Sequence, residues 1–191
     1  MPDADPNAVP ADVDALVHRI AASAARPVVL LDGRSGSGKT TLAVAIAAAY
    51  PGGVSLVRLE DIYPGWDGLE AASEQLRENV LEPLARGAEA RWQRWDWTAD
   101  APAEWHPVDA SRPVLIEGCG ALSRSHRALA SFALWVELDS QERKRRALAR
   151  DGEAYRPFWD RWAAQEREFI GREHPRSLAD FVVDGRTVAG A

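Results

Sequence analysis

Short apolar runs and longer stretches with helical spacing alternate along the chain. Val28 to Asp32 is an apolar run bounded by a glycine-rich turn, which is typical of a strand buried on both faces of a parallel sheet. Similar runs predict further strands at 54–59, 114–117, 132–138 and 180–183. Because helical patterns separate these strands, the sequence predicts an α/β fold with a mostly parallel sheet.

Apolar residues spaced three and four apart predict the helices between the strands. The predicted helices cover residues 11–25, 40–50, 69–84, 140–151 and 157–172. The stretch 88–112 contains four tryptophans and several prolines, and it is predicted to be the least regular part. Residues 1–10 are expected to form a flexible tail. Residues 11–191 are expected to form one domain, with a helical lid segment at about 140–172.

A glycine-rich loop after the first predicted strand carries the clearest chemical signal. Residues 33–40 read Gly-Arg-Ser-Gly-Ser-Gly-Lys-Thr and match the phosphate-binding pattern GxxxxGK[ST], with a strand before and a helix after. Successive backbone N–H groups and the helix start can hold phosphates. We expect Lys39 to reach the β- and γ-phosphates and Thr40 to ligate Mg²⁺. The expected nucleotide contacts are Gly33, Arg34, Ser35, Gly36, Ser37, Gly38, Lys39, Thr40 and Thr41.

Asp61 follows the second predicted strand. The carboxyl ends of parallel strands face the ligand crevice, so a carboxylate there points toward the phosphates. Asp61 can accept the proton of an attacking hydroxyl, or it can cap a turn or hold water on Mg²⁺. Neighbouring side chains diverge at a strand end, which makes the adjacent Glu60 the less favoured base.

The order of the motifs resembles the uridine kinase branch of the P-loop kinases, which is akin to phosphoribulokinase and pantothenate kinase. The phosphate loop is followed by Asp61-Ile62-Tyr63, and further matching stretches are Trp66-Asp67-Gly68, Trp95-Asp96-Trp97 and Glu117-Gly118. The resemblance spans about residues 28–185. It implies a three-layer P-loop NTPase-type fold with helices on both faces of the sheet. It also implies transfer of the γ-phosphoryl group of ATP, with Mg²⁺, to a hydroxyl of a small molecule, a nucleoside above all.

The same resemblance implies roles for individual side chains. Asp61 would be the base for the 5′-hydroxyl, and Asp67 would bind sugar hydroxyls. Arg146 and Arg150 would close on the phosphates. Independently of the resemblance, Glu117 can orient Mg²⁺ or a water, or alternatively it can bond the glycine loop. The expected substrate contacts are Asp61, Tyr63, Asp67, Trp95 and Asp96.

Several of these residues also have purely structural interpretations. Asp67 has the spacing of a helix cap, and an arginine-rich helix can simply carry solvated charge. Most of the tryptophans are expected in the core. Glu166 is an acid on an otherwise apolar helical stripe, and its spacing does not explain it. The chain departs from the family at Trp95, where the family has a base-reading tyrosine, and after Asp151, where the Arg-Gly repeat of the lid is missing.

Composition excludes some classes of function. The 191 residues carry a net charge of −6, which argues against binding to nucleic acid or anionic membranes. The single Cys119 excludes an internal disulfide and fits a reducing compartment. The acidic, proline-rich start is not a signal peptide, so a cytoplasmic location is expected.

The expected partner is a small-molecule, nucleoside-like acceptor, and both a monomer and a homo-oligomer remain open. Two alternative functions also remain open. One is a nucleotide-binding regulatory module that slowly hydrolyses ATP. The other is a kinase for a pantothenate-like or sugar-acid acceptor.

Overall fold

The computed structural model describes residues 10–188. The predicted tail therefore lies outside the described residues, apart from Pro10. Seven strands are present in this range: β1 (Val28–Gly33), β2 (Ser55–Arg58), β3 (Arg91–Asp96), β4 (Ala101–Pro107), β5 (Val114–Glu117), β6 (Phe132–Glu137) and β7 (Phe181–Asp184). The helices are α1 (Val13–Ser23), α2 (Lys39–Ala49), α3 (Leu69–Leu76), α4 (Glu82–Ala85), α5 (Arg124–Arg127), α6 (Ser140–Tyr155), α7 (Trp159–Glu173) and α8 (Pro175–Leu178).

Five of the strands form one parallel sheet in the order β2-β5-β1-β6-β7. The register places Glu117 of β5 beside Leu31 of β1 on one side and beside Arg58 of β2 on the other. The carboxyl ends of three strands therefore meet around Glu117, at the edge of the sheet where α/β proteins bind ligands. The predicted parallel sheet is confirmed.

Alternating side chains of the central strands pack into two apolar clusters, one on each face of the sheet. Leu30 and Ile116 belong to the cluster that also contains buried residues of α3 and α7. Leu31 and Leu115 belong to the cluster formed with α1 and α2. Because the side chains of a strand point alternately to its two faces, each central strand contributes to both clusters. Helices thus cover both faces, which confirms the three-layer α/β fold.

The prediction that residues 88–112 are the least regular part of the chain is wrong. Strands β3 and β4 form an antiparallel hairpin within this stretch. Cross-strand pairs stabilise it: Trp92 stacks on His106 with ring centroids 4.4 Å apart, and the Arg94 guanidinium binds the Glu104 carboxylate at 2.7 Å. The paired residues lie between 5 and 16 positions apart along the chain, so local hydrophobic periodicity does not reveal them.

Two of the predicted helices have interruptions that the pattern does not show. The helix predicted at 69–84 contains a π-helical turn at Arg77–Leu81, between α3 and α4. Helix α6 continues past its predicted end to Tyr155, through a kink at Gly152 (φ 57°, ψ −135°). Helices α6 and α7 make up the predicted lid segment. Within residues 10–188, no helix has the length and apolar character needed to cross a bilayer.

Candidate active site

The phosphate loop connects β1 to α2 in the conformation that its glycines allow. Gly36 and Gly38 have φ values of 80° and 99°, which side chains rarely adopt. A Cβ at Gly36 would lie 2.2 Å from the carbonyl oxygen of Arg143, so the approach of α6 also requires glycine there. Helix α2 begins at Lys39, which places its free N–H groups at the end of the loop.

Asp32 holds the start of this loop in place. Its carboxylate accepts the N–H of Gly33 at 2.6 Å and that of Leu122 at 2.8 Å, which joins the loop to the segment after β5. Burial raises the pKa of Asp32 to about 7, although the hydrogen bonds and Lys39 partly oppose this shift.

Lys39 lies at the centre of a group of acidic side chains. Burial lowers the pKa of Lys39, but the acidic groups around it, with Cys119, Glu117 and Glu166 foremost, outweigh burial and leave this pKa above its usual value. The ammonium group therefore stays charged at neutral pH. A charged amine beside a ring of N–H groups is suited to bind phosphate oxygens.

Thr40 and Glu117 provide oxygen ligands beside the loop. Glu117 is only 2% exposed, and the Thr40 side chain is hydrogen-bonded to it. Burial raises the pKa of Glu117, while Lys39 and this hydrogen bond lower it. A hydroxyl and a carboxylate next to a phosphate site are ligands that Mg²⁺ prefers, so these residues fit the expected metal.

A cavity of about 320 Å³ opens beside the loop. On its phosphate side it is lined by Ser35, Lys39, Thr40 and Glu117. Its remaining walls are formed by Glu60, Tyr63, Trp66, Trp97, Gly118, Cys119, Arg150, Asp151, Ala154, Tyr155 and Trp162. The loop thus shares one cavity with aromatic side chains and with groups from the lid segment.

The aromatic side chains link the segment after β2 to the lid segment. Trp66 stacks on Phe158 and Tyr155, with ring centroids 4.5 and 5.3 Å apart, and it meets Trp97 at 5.1 Å. We call Trp66, Trp97, Tyr155 and Phe158 the aromatic wall. Trp97 also donates its indole N–H to the carbonyl oxygen of Glu60 at 3.2 Å.

Solved structures share this fold over nearly the whole chain. A possible uridine kinase from Bacillus stearothermophilus matches with a TM-score of 0.64 at 22% identity, over 90% of this chain and 97% of the other. A protein assigned as a fructose transport system kinase from Silicibacter sp. TM1040 matches with a TM-score of 0.54 at 19% identity, over 94% of each chain. This chain has a uridine kinase-like fold. No protein-family model matches the sequence, and no curated protein matches it significantly.

Within this uridine kinase-like fold, Glu60 lines the cavity and the predicted base Asp61 does not. The chain leaves β2 through a 3₁₀ turn at Leu59–Asp61, so consecutive side chains point in different directions. Leu59 enters the core, whereas Glu60 is exposed. Within residues 10–188 the Glu60 carboxylate makes no hydrogen bond of its own, and its charge acts on nearby Arg150. Glu60 is therefore available to a bound group.

Three other residues that the sequence predicts as substrate contacts lie away from the cavity lining. Asp67 forms an ion pair with Arg161 of α7, and it does not cap α3. Asp96 accepts the N–H groups of the next turn at 2.9 and 3.0 Å. Trp95 has a buried indole N–H without a hydrogen-bond partner in the described part of the chain. Tyr63, in contrast, lines the cavity and donates its hydroxyl to the carbonyl oxygen of Cys119 at 2.9 Å.

Of the two predicted lid arginines, only Arg150 lies at the cavity. Arg150 lines the cavity and is held by Asp151 at 2.7 Å. Arg146 binds the carbonyl oxygen of Gly185 at 3.0 Å and the Glu142 carboxylate at 2.8 Å, and it is not part of the cavity lining.

Lining residues that the sequence pattern did not assign to the site include Trp66, Asp151 and Tyr155, and Glu60 was only the less favoured base. A weak signal existed for Trp66, which precedes the family-like Asp67. Tyr155 lies beyond the predicted end of its helix, because the kink at Gly152 carries α6 onward toward the loop. Only the packing of the lid segment against the loop brings these side chains together.

Proposed function

We propose that this protein is an ATP- and Mg²⁺-dependent kinase that transfers the γ-phosphoryl group to a hydroxyl of a small molecule. The observation that supports this most strongly is the shared cavity. Lys39 and Thr40 of the phosphate loop line the same space as Glu60 and most of the aromatic wall. A phosphate donor and an alcohol acceptor bound in one space can react in line, since phosphoryl transfer depends mainly on positioning and charge neutralisation.

The residues divide the chemistry between them. Glu60 accepts the proton of the acceptor hydroxyl while the hydroxyl oxygen bonds to the γ-phosphorus. At the same time, the bond between the γ-phosphorus and the β–γ bridging oxygen breaks. Asp61 is the second choice for this base, because it follows β2 and because the motif resemblance assigns it this role. Lys39 and Arg150 neutralise charge on the transferred group. Thr40 and Glu117 would hold Mg²⁺, which supplies further charge neutralisation when bound.

The acceptor is proposed to be a compound with a planar or ring-shaped body, with a nucleoside as the first choice. The aromatic wall supports this choice because ring faces stack on flat ligands, and one structural relative is described as a possible uridine kinase. A sugar-type acceptor is the second candidate. Asp67, Trp95 and Asp96, which the resemblance assigns to nucleoside binding, do not line the cavity, and the other relative is assigned to fructose transport. The availability of ATP favours action in the cytoplasm.

A panel of acceptors tests the proposal. The purified protein is incubated with ATP and Mg²⁺ and with nucleosides, sugars, sugar acids or pantothenate, and mass spectrometry detects the addition of one phosphate. Lys39→Ala serves as the inactive control. We expect a phosphorylated product from one acceptor class and ADP formation that depends on this acceptor. ADP formation at the same rate without any acceptor would instead favour the regulatory ATPase.

A further inference from the structure

Ser35, in the phosphate loop, is held by the lid segment through every polar group that it has. The Glu166 carboxylate accepts the Ser35 N–H at 2.6 Å. Arg143 donates to the Ser35 carbonyl oxygen at 3.1 Å, and the Tyr155 hydroxyl donates to Ser35 Oγ at 3.0 Å. These partners come from α6 and α7, more than 100 residues further along the chain. The contacts of Ser35 thus fix the position of the phosphate loop relative to α6 and α7.

Glu166 makes the shortest of these contacts and is also the least expected residue among them. It is 2% exposed, and a buried carboxylate is costly unless it is paired and hydrogen-bonded. Its partners are the guanidinium of Arg34 at 2.9 Å, that of Arg143 at 4.0 Å and the thiol of Cys119 at 3.4 Å. Two guanidinium groups and one backbone N–H therefore compensate this buried charge.

We propose that Glu166 is a positioning residue for nucleotide binding. By accepting the Ser35 N–H and binding Arg34, it fixes the phosphate loop in the shape that receives the phosphates. This inference rests on the proposed function, in which the loop binds ATP.

Removal of Glu166 can either weaken or tighten nucleotide binding, and the direction of this change distinguishes a positioning role from a simple charge effect. A carboxylate close to a triphosphate repels it, so if Glu166 acted only as a charge, its removal would tighten nucleotide binding. If Glu166 positions the loop, its removal leaves the Ser35 N–H without an acceptor and weakens nucleotide binding.

Calorimetric titration with AMP-PNP and Mg²⁺ tests the proposal on the full chain. We expect Glu166→Ala to raise the dissociation constant at least about tenfold, since a charged hydrogen bond at the loop is lost. Glu166→Gln keeps an acceptor for the Ser35 N–H but loses the charge that binds Arg34, so its loss should be smaller. Glu168→Gln, an exposed position on the same helix, is the matched control and should leave the constant unchanged. Unchanged or tighter binding by Glu166→Ala would overturn the proposal.

Melting temperatures with and without AMP-PNP exclude a merely structural role. A structural residue would lower both temperatures equally and leave the nucleotide-induced increase intact, whereas a positioning residue reduces this increase. If Glu166→Ala fails to fold, Glu166→Gln decides, and unchanged or tighter binding by it would overturn the proposal. If the unsubstituted protein does not bind AMP-PNP, the proposed function itself fails. Binding by the unsubstituted protein with no loss in the Glu166 variants refutes only the present inference.

Discussion

Two neighbouring acids, Glu60 and Asp61, differ in their access to the cavity beside the phosphate loop. Glu60 is part of the cavity lining, and Asp61 is not. We therefore expect Glu60→Gln to lower kcat by about 10²–10⁴-fold, because the acceptor hydroxyl loses its proton acceptor. The dissociation constant of the nucleotide should stay within about twofold, since the phosphate loop is untouched.

Asp61→Asn is the matched control for this prediction, and steady-state kinetics with the acceptor found in the panel measure both variants. The expected kcat of Asp61→Asn is close to that of the unsubstituted protein. If Asp61→Asn loses turnover while Glu60→Gln keeps it, the base is Asp61 and the cavity-based assignment is wrong.

The two lid arginines give a second prediction for single residues. Arg150→Ala should lower kcat by about a hundredfold, because in the proposed function Arg150 neutralises charge on the transferred group. Arg146→Ala should lower kcat much less and should instead lower the melting temperature, since Arg146 binds the carbonyl oxygen of Gly185 and the Glu142 carboxylate. Equal losses of kcat in both variants would contradict this division of roles.

Sequence alone predicts the phosphate loop because its motif is one contiguous run of residues. The glycines set the backbone, and Lys39 and Thr40 follow at the start of a helix. The acceptor side could not be located in the same way. Asp67 forms an ion pair with Arg161, which lies 94 residues further along the chain. The direction of the Glu60 side chain depends on a 3₁₀ turn. Contacts with residues distant in sequence determine these side-chain directions, and no local pattern in a single sequence reveals such contacts.

At the scale of helices and strands, periodicity predicted the central sheet well and the interrupted elements poorly. The strands of the sheet are continuous apolar runs, which pattern analysis recognises. The β3–β4 hairpin mixes aromatic and charged residues, and cross-strand pairs such as Trp92 with His106 stabilise it. The kink in α6 depends on one glycine, Gly152, whose backbone conformation is not helical.

Gly152 therefore gives a prediction for the lid segment. Alanine disfavours φ 57° and ψ −135°, so Gly152→Ala should straighten α6 and shift Arg150 and Tyr155 relative to the loop. A Cβ there would meet no atom within 4 Å, so the effect comes from the backbone and not from a clash. We expect a loss of kcat/KM for the acceptor of about tenfold or more, measured by steady-state kinetics.

Gly171→Ala is the matched control for this variant. Gly171 lies in the regular part of α7, and a Cβ there would also meet nothing within 4 Å. This substitution should stabilise the protein by up to about 1 kcal/mol and leave the kinetics unchanged. Unchanged kinetics in Gly152→Ala as well would show that the kink does not position the lid side chains.

The stability of the whole molecule should depend on pH through Asp32. Burial raises the pKa of Asp32 to about 7 in the folded protein, above the usual value of about 3.9 expected in the unfolded chain. Stability from the protonated form is therefore complete below about pH 4 and is lost as the pH rises to about 7. We expect the free energy of unfolding to fall over this range relative to Asp32→Asn, by at most about 1.4 kcal/mol per pH unit.

Chemical denaturation at several pH values measures this difference. Asp14→Asn, at an exposed position of α1, is the control and should show the same pH dependence as the unsubstituted protein. If the difference between Asp32→Asn and the unsubstituted protein is constant from pH 4 to pH 8, Asp32 does not titrate as described.

The central claim concerns the arrangement of the whole molecule, in which the phosphate loop and the acceptor cavity form one reaction site. The most direct test is a crystal structure with AMP-PNP and Mg²⁺. We predict the triphosphate in the loop beside Lys39 and the metal at Thr40 and Glu117. The terminal phosphate should face the cavity that Glu60 and most of the aromatic wall line. A nucleotide bound elsewhere, or one whose terminal phosphate points away from this cavity, would contradict the claim.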